Sequence, residues 1–342
     1  MAIWTRKETF FFVFIAAIVT VLYEVIGLRW LQIPWTPVAL VGTAVAFLIS
    51  FQNNAAYDRL WEARKIWGGI VNNSRTWTMM IRDMVNNDHA IAPRDNKSLQ
   101  EERRVLVHRQ IAWMSALRYA LRQGKPWEVA AQKKSNKEWQ DALNLPELNI
   151  PIEEELGRLL SKKDVDYVMS KKNKANAVMT LQSKHIRSLK ESGHIWEFSF
   201  LELENVLKEF FSLQGKSERI KNFPYPRQYA TLGYDFVNLF NMLLPFAVVP
   251  EFWKVGQDLS EYHPEISGYF VWLAIPFSVI VSWIFNTMQR IGTVGENPFE
   301  GSPNDVPIST MARGIEIDLR EMLDENEKEI PEPHPMVRDV QM

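Results

Sequence analysis

Apolar residues along this chain gather into four blocks separated by long polar stretches. Phe10 to Ile26 reads FFFVFIAAIVTVLYEVI, free of charge except for Glu24, with Arg6 and Lys7 before it and Arg29 after it. Pro37 to Phe51 reads PVALVGTAVAFLISF and is short for a bilayer core of ~30 Å at ~1.5 Å per residue, so it must draw on Trp35 or the residues after Gln52 to cross. Leu232 to Val249 and Tyr269 to Phe285 complete the set; they carry Pro245 and Pro276, which a membrane helix tolerates where neighbours re-satisfy the freed carbonyl. The pattern predicts four spans, at about 10–26, 37–51, 232–249 and 269–285.

Length alone leaves open a soluble protein with four buried helices. Flanking charge favours the membrane. Arg6, Lys7, Arg59, Arg64, Lys65, Lys216, Arg219, Lys221, Arg227 and Arg290 fall on one side, whereas Arg29 and Lys254 fall on the other. That asymmetry predicts both termini and the long middle segment in the cytoplasm, with the connector 250–268 outside. The first block has a long apolar core and no small-residue cleavage site after it, so it is expected to persist as a span.

From Gln52 to Arg227 the chain is polar with helical periodicity, and it predicts a cytoplasmic helical domain. Tyr57, Trp61, Arg64 and Gly68 share one helical face, so the second span is expected to run on past the membrane. Arg59 with Glu62, and Glu62 with Lys65, could pair along it. Asp88–Glu102 and Lys133–Asn149 read as polar linkers, and Ile195–Phe211 as an amphipathic helix. After the fourth span come the loop GENPFEGSPNDVP, the helical IEIDLREML and an acidic tail, Asp324–Met342, expected to be mobile. The expected fold is an all-α membrane protein: a first hairpin in 1–51, a cytoplasmic domain in 52–227, a second hairpin in 228–290, and a cytoplasmic loop, helix and tail in 291–342.

Composition narrows the function. The 342 residues carry 39 Lys plus Arg against 41 Asp plus Glu, a net charge of −2, so no basic field suits a nucleic-acid partner. The absence of Cys excludes disulfides, thiolate nucleophiles and Cys-bound metals. The mean hydropathy is mildly negative because the polar region dilutes the apolar blocks. No Walker loop, GxGxxG, GxSxG or HExxH occurs, and the six His (89, 108, 185, 194, 263, 334) lack ligand spacing. Neither an enzyme nor a cofactor is expected.

The block FQNNAAYDRLWEARKIWGG, Phe51 to Gly69, crowds Asn53, Asn54, Tyr57, Asp58, Arg59, Trp61, Glu62 and Arg64 around the inner end of a membrane helix, where polar groups need partners or water. It resembles the bestrophin-like ion channel family, whose bacterial members carry a nearly identical stretch, usually with two Trp after the Arg where this chain has Leu60 and Trp61. LLPF, Leu243 to Phe246, is a second match. Glu296, Asn297, Pro298 and Phe299, followed by Pro303, Asn304, Asp305, Pro307 and IEIDLREML, form a third. The resemblance runs from about Phe10 to Leu323.

The resemblance implies a homopentamer in the bacterial inner membrane with one axial pore, its neck lined by the second span and its lower half enclosed by cytoplasmic helices. Thr43, Phe47 and Phe51 share one helical face, so five copies would stack three rings. Phe47 and Phe51 match the family's neck positions, and Thr43 departs from its usual aliphatic ring. A second, cytoplasmic aperture is implied, with Ile195 and Phe198 as its candidates. Asp235, Asn238 and Asn241 make a polar stripe on the third span, either a pore wall or interhelical hydrogen bonding. Where bacterial relatives often hold a His–Arg pair, this chain has Tyr234 and Asp235, a change that would favour cations. Animal members bind calcium through an acidic run after NPFG; here only Glu296, Glu300 and Asp305 stand nearby, too few for a six- to eight-oxygen site. The implied function is passive conduction of small monovalent ions, chloride or another anion by the family's name, with cation preference possible. A membrane-anchored scaffold that conducts nothing is the alternative.

Overall fold

The structure, a computed structural model, describes residues 5–128, 134–337 and 340–341. Among these it is all-α. The helices are α1 (Arg6–Glu24), α2 (Trp35–Met84), α3 (Asn96–Arg122), α4 (Lys134–Leu143), α5 (Pro146–Asn149), α6 (Ile152–Gly157), α7 (Lys162–Met169), α8 (Lys174–Glu191), α9 (Glu197–Asn222), α10 (Arg227–Leu259), α11 (Pro264–Ser267), α12 (Ala274–Gly295) and α13 (Ile308–Met322). They divide into two units, Met1–Asp58 with Pro224–Glu296, and Arg59–Phe223 with Asn297–Met342. The 50-residue α2 supplies both, so the second apolar block does continue as one helix far beyond Phe51.

In the first unit α1, α2, α10 and α12 pack around Val19, Tyr23, Val38, Val45, Ile49 and Phe240. On α1, Phe12, Ala16, Val19 and Tyr23 recur at helical spacing and are buried, while Phe10 and Phe14 on the opposite face are 75% and 63% exposed. A helix apolar on both faces, with only one face covered, suits lipid. Three helical segments, in Arg29–Met84, Thr231–Leu259 and Phe270–Gly295, are long and apolar enough to cross a membrane. Helix α1 falls short on charge, because Arg6, Lys7 and Glu8 sit in its first turn and Glu24 at its end.

Helix α10 keeps Pro245 and Pro250 in its interior. A helical Pro leaves the carbonyl four residues earlier without its amide, and here the Phe246 carbonyl freed by Pro250 accepts instead from Ile33 N at 3.1 Å. Gly42 lets α2 approach α10 closely, since a Cβ there would stand 2.7 Å from the Phe240 ring. At the far end Arg290 reaches Glu8 at 3.3 Å, so this residue is tied to α1 and not simply a solvated inner flank. Arg29 lies 4.2 Å over the Trp253 ring, a cation–π contact.

The second unit is built on Trp67, Trp77, Trp113 and Phe210, all fully buried, with Trp113 and Phe210 packed ring to ring at 5.0 Å. Both predicted linkers prove partly helical. Asp95 caps α3 by accepting from Ser98 N at 2.7 Å, so Asn96–Glu102 already belongs to that helix. Lys134–Leu143 and Pro146–Asn149 are α4 and α5, and Lys133 lies outside the described residues. Polar composition concealed helices that pack through only a few apolar positions. The acidic tail is anchored at its start: Glu325, 7% exposed in its side chain, bonds His108 at 2.6 Å and lies 3.5 Å from Arg320. Val337 and Val340 cover Leu143 and Leu145.

Candidate functional site

Along α2 the residues facing the rest of the first unit are Val38, Val45, Ile49 and Gln52, and the opposite face is left open. Thr43, Phe47 and Phe51 all lie on that open face; Phe47 is 61% and Phe51 67% exposed. The Thr43 hydroxyl donates back to the Ala39 carbonyl at 3.0 Å, which lowers the polarity it presents. Beside this face an apolar groove of about 550 Å³ is lined by Thr43, Phe47, Phe240, Leu244, Val281 and Phe285.

Directly after Phe51 the helix turns polar, and its inward residues grip α12. Gln52, 3% exposed, donates from Nε2 to Glu296 Oε1 at 2.8 Å and approaches Thr293 Oγ1 at 3.5 Å. Asn53 lies against Gly292, where a Cβ would come within 2.4 Å of its Oδ1. This contact sets the rotation of α2 just below Phe51. Sequence reading passed over Gln52; its signal was an amide at the i+3 position from Ile49, on the buried face of an otherwise apolar helix. Asn54 is exposed and lines a smaller cavity of about 280 Å³ with Ser50, Phe285 and Met288.

Two of the remaining motif residues, Arg59 and Glu62, have partners in the second unit. Arg59 Nη2 donates to the Ile220 carbonyl at 3.0 Å, and Glu62 accepts from Arg219 Nη2 at 2.8 Å, both on α9. These contacts tie α2 to α9, beyond the pairing expected along α2 itself. Tyr57, Asp58, Trp61 and Arg64 are exposed. In the loop before α13, Pro298 and Phe299 are buried, Phe299 at 1%, which explains why an aromatic follows Pro there.

The two aperture candidates separate. Ile195 precedes α9 and is 2% exposed within the core of the second unit, so it cannot project into an opening. Its amide bonds the Leu189 carbonyl at 3.3 Å, which turns the chain inward at that point. Phe198, in the first turn of α9, is 63% exposed and packs edge-on against Trp196. The polar stripe of α10 is also divided. Asp235 is exposed and Asn238 half-buried, but Asn241 is 4% exposed inside the first unit, so it does not line an open wall. Its own carbonyl is the one freed by Pro245.

Two of the calcium candidates are engaged within their own units. Glu296 holds Gln52, and Asp305 accepts from Gly301 N at 2.6 Å, Ser302 N at 3.1 Å and the Ser302 hydroxyl, with Arg122 at 3.7 Å. Its carboxylate thus closes its own loop, and burial pushes it above the usual carboxylate range, against the pull of Arg122. Glu300 is buried at 6%. Among the described residues no group of three or more His, Asp or Glu could hold a metal ion.

Comparison with known proteins bears on these features. The family model for bacterial and fungal bestrophin proteins matches residues 3–257 and 265–321. Voltage-dependent anion channel-forming protein YneE of Salmonella typhi is 27% identical over 313 residues, covering 91% of this chain and 84% of that protein. Its namesake in Escherichia coli K12 is 26% identical over 328 residues, covering 94% and 88%. A crystal structure of a bacterial bestrophin homologue from Klebsiella pneumoniae superposes with a TM-score of 0.68 at 23% identity, over 94% of this chain and 98% of that one. That likeness establishes the fold.

Proposed function

The chain belongs to the bacterial and fungal bestrophin family, and from that premise we propose that it is a passive anion channel, assembled as a pentamer around one axial pore in the bacterial inner membrane. The observation that carries this reading is the open face of α2: a helix long and apolar enough to cross a bilayer leaves Phe47 and Phe51 uncovered by its own subunit. Five such faces turned to one axis form stacked apolar rings. A constriction of that kind offers a dehydrated ion no replacement ligands and controls passage by dewetting. Thr43 makes the first ring and Gln52, through Glu296, fixes the phase of all three.

In this reading α1, α2, α10 and α12 are four spans with both termini cytoplasmic. The short charge-free run of α1 is supported by its packing against α10 and α12, with the Arg290–Glu8 pair at its inner end. The apolar groove beside Phe47 receives the adjoining subunit, which would cover Phe47, Val281 and Phe285. Phe198 is the remaining candidate for a second narrowing, and Asp235 for a charge near the conduction path. The names of the YneE relatives support anions over cations.

Chloride efflux from liposomes containing the purified protein tests this proposal. Efflux that scales with protein content and is faster in Phe47→Ala supports it. A protein that inserts but passes no ion is a tether, and the proposal fails.

A further inference from the structure

The second unit contains a cavity of about 580 Å³ where the end of α3, the start of α8 and the end of α9 meet. Its size falls within the ~300–1,000 Å³ of small-ligand sites. Five cations line it (Arg122, Lys125, Lys172, Lys174 and Lys221) against two carboxylates, Glu147 and Glu218. Both carboxylates are engaged: Glu147 forms an ion pair with Arg118 at 2.7 Å and accepts from the Ser309 hydroxyl at 2.7 Å, and Glu218 accepts from Asn173 at 3.0 Å and Gln214 at 2.8 Å. Lys221 is paired with Glu128. Lys125, Lys172 and Lys174 enter no ion pair among the described residues.

Arg122 is the buried member of this set. Its side chain is 1% exposed, yet Nε, Nη1 and Nη2 all lack a hydrogen-bond acceptor, and Asp305 at 3.7 Å is occupied by its own loop. A guanidinium buried without acceptors is costly, and its planar donor fork matches a carboxylate or phosphate. The start of α8 adds a second reason. Lys172 and Lys174 flank the capping Asn173, and no acidic residue occupies the first turn, so positive side chains stand at the positive end of an 18-residue helix. An anion there would relieve that repulsion.

We propose that this cavity binds a small oxyanion carrying two or more negative charges, a phosphate or a polycarboxylate, anchored by Arg122 and neutralised by Lys125, Lys172 and Lys174. This site is independent of the conduction reading. An oxyanion suits it better than chloride, because two oxygens match the two parallel N–H directions of the guanidinium fork.

The test is isothermal titration of the purified full-length protein in detergent, at constant chloride, with inorganic phosphate, pyrophosphate and citrate. Three variants accompany it: Lys125→Ala, the double Lys172→Ala/Lys174→Ala, and Gly124→Leu. Gly124 lines the cavity, has no positive φ, and a Cβ there meets nothing within 4 Å, so leucine fills space without removing charge. The expected result is saturable binding of at least one probe with Kd below about 1 mM, weakened about tenfold or more in the double variant and in Gly124→Leu. The strongest probe identifies phosphate or carboxylate as the source. No binding of any probe at about 10 mM overturns the proposal. So does binding lost in the lysine variants but intact in Gly124→Leu, which would place the anion on the surface of α8.

Discussion

Replacing Gly193 by alanine should destabilise the second unit by several kcal/mol, although a methyl group is all that is added. Gly193 ends α8 with φ of +80°, a conformation that costs a residue with a Cβ about 1–2 kcal/mol. It also lies against the loop after α2: an added Cβ would stand 2.1 Å from the His89 carbonyl oxygen and 2.9 Å from its carbon. Both are backbone atoms, so relief requires moving a chain segment by about an ångström. That segment is tied by Asn86 N to His194 O at 3.0 Å and Ile91 N to Ser192 O at 3.1 Å. Losing both adds about 1–3 kcal/mol, for a total of roughly 2–5 kcal/mol. Thermal unfolding of the detergent-solubilised protein reads the change. Gly215→Ala is the matched control: it lies inside α9, meets nothing within 4 Å, and should be stabilising by up to about 1 kcal/mol. A Gly193→Ala protein as stable as Gly215→Ala would refute the backbone contact. Because Gly193 also sets the entry of α9, the variant should disturb Phe198.

Phe47→Ala and Phe51→Ala should each raise unitary conductance by widening an apolar ring; unchanged current in both variants would remove α2 from the pore neck. Asp235→Asn should raise anion permeability relative to cation permeability, and an unmoved reversal potential in a salt gradient would take Asp235 off the conduction path. Glu325→Gln should cost about 1.5–3 kcal/mol at neutral pH, because the side chain is buried against His108. Burial would raise this carboxyl, but the His108 hydrogen bond and the charges of His108, Arg320 and Arg104 hold it below the usual range. Its stabilisation is therefore present above the ordinary carboxylate value of about 4.3 and lost as pH falls through the lower native value. Melting curves of parent and variant should converge in acid; a constant gap down to pH 3, on the order of its neutral value, would contradict the pairing.

Much of the first unit was legible because lipid imposes a simple rule, long apolar runs flanked by charge, and three of the four blocks return as helices long enough to cross. The open face of α2 was also readable, since Thr43, Phe47 and Phe51 share a helical phase that periodicity alone reveals. What periodicity cannot reveal is which polar residue meets which partner. Glu62 looked satisfied along its own helix, and the Arg219 that holds it is 157 positions away. Gln52 was hidden for the same reason, its partner Glu296 being brought near only by the packing of α12. Ile195 failed as an aperture residue because an apolar side chain beside an amphipathic helix reads alike whether it points inward or outward. The polar stretches before α3 and around α4 looked like linkers because charged helices with sparse apolar contacts carry a weak hydrophobic signal.

The most direct test of the central claim is the reversal potential of single-channel currents from purified protein in a planar bilayer with a KCl gradient. Unitary currents reversing near the chloride equilibrium potential, enlarged in Phe51→Ala, are the predicted result. Reversal near the potassium potential would contradict anion conduction, and a silent bilayer containing inserted protein would contradict conduction altogether.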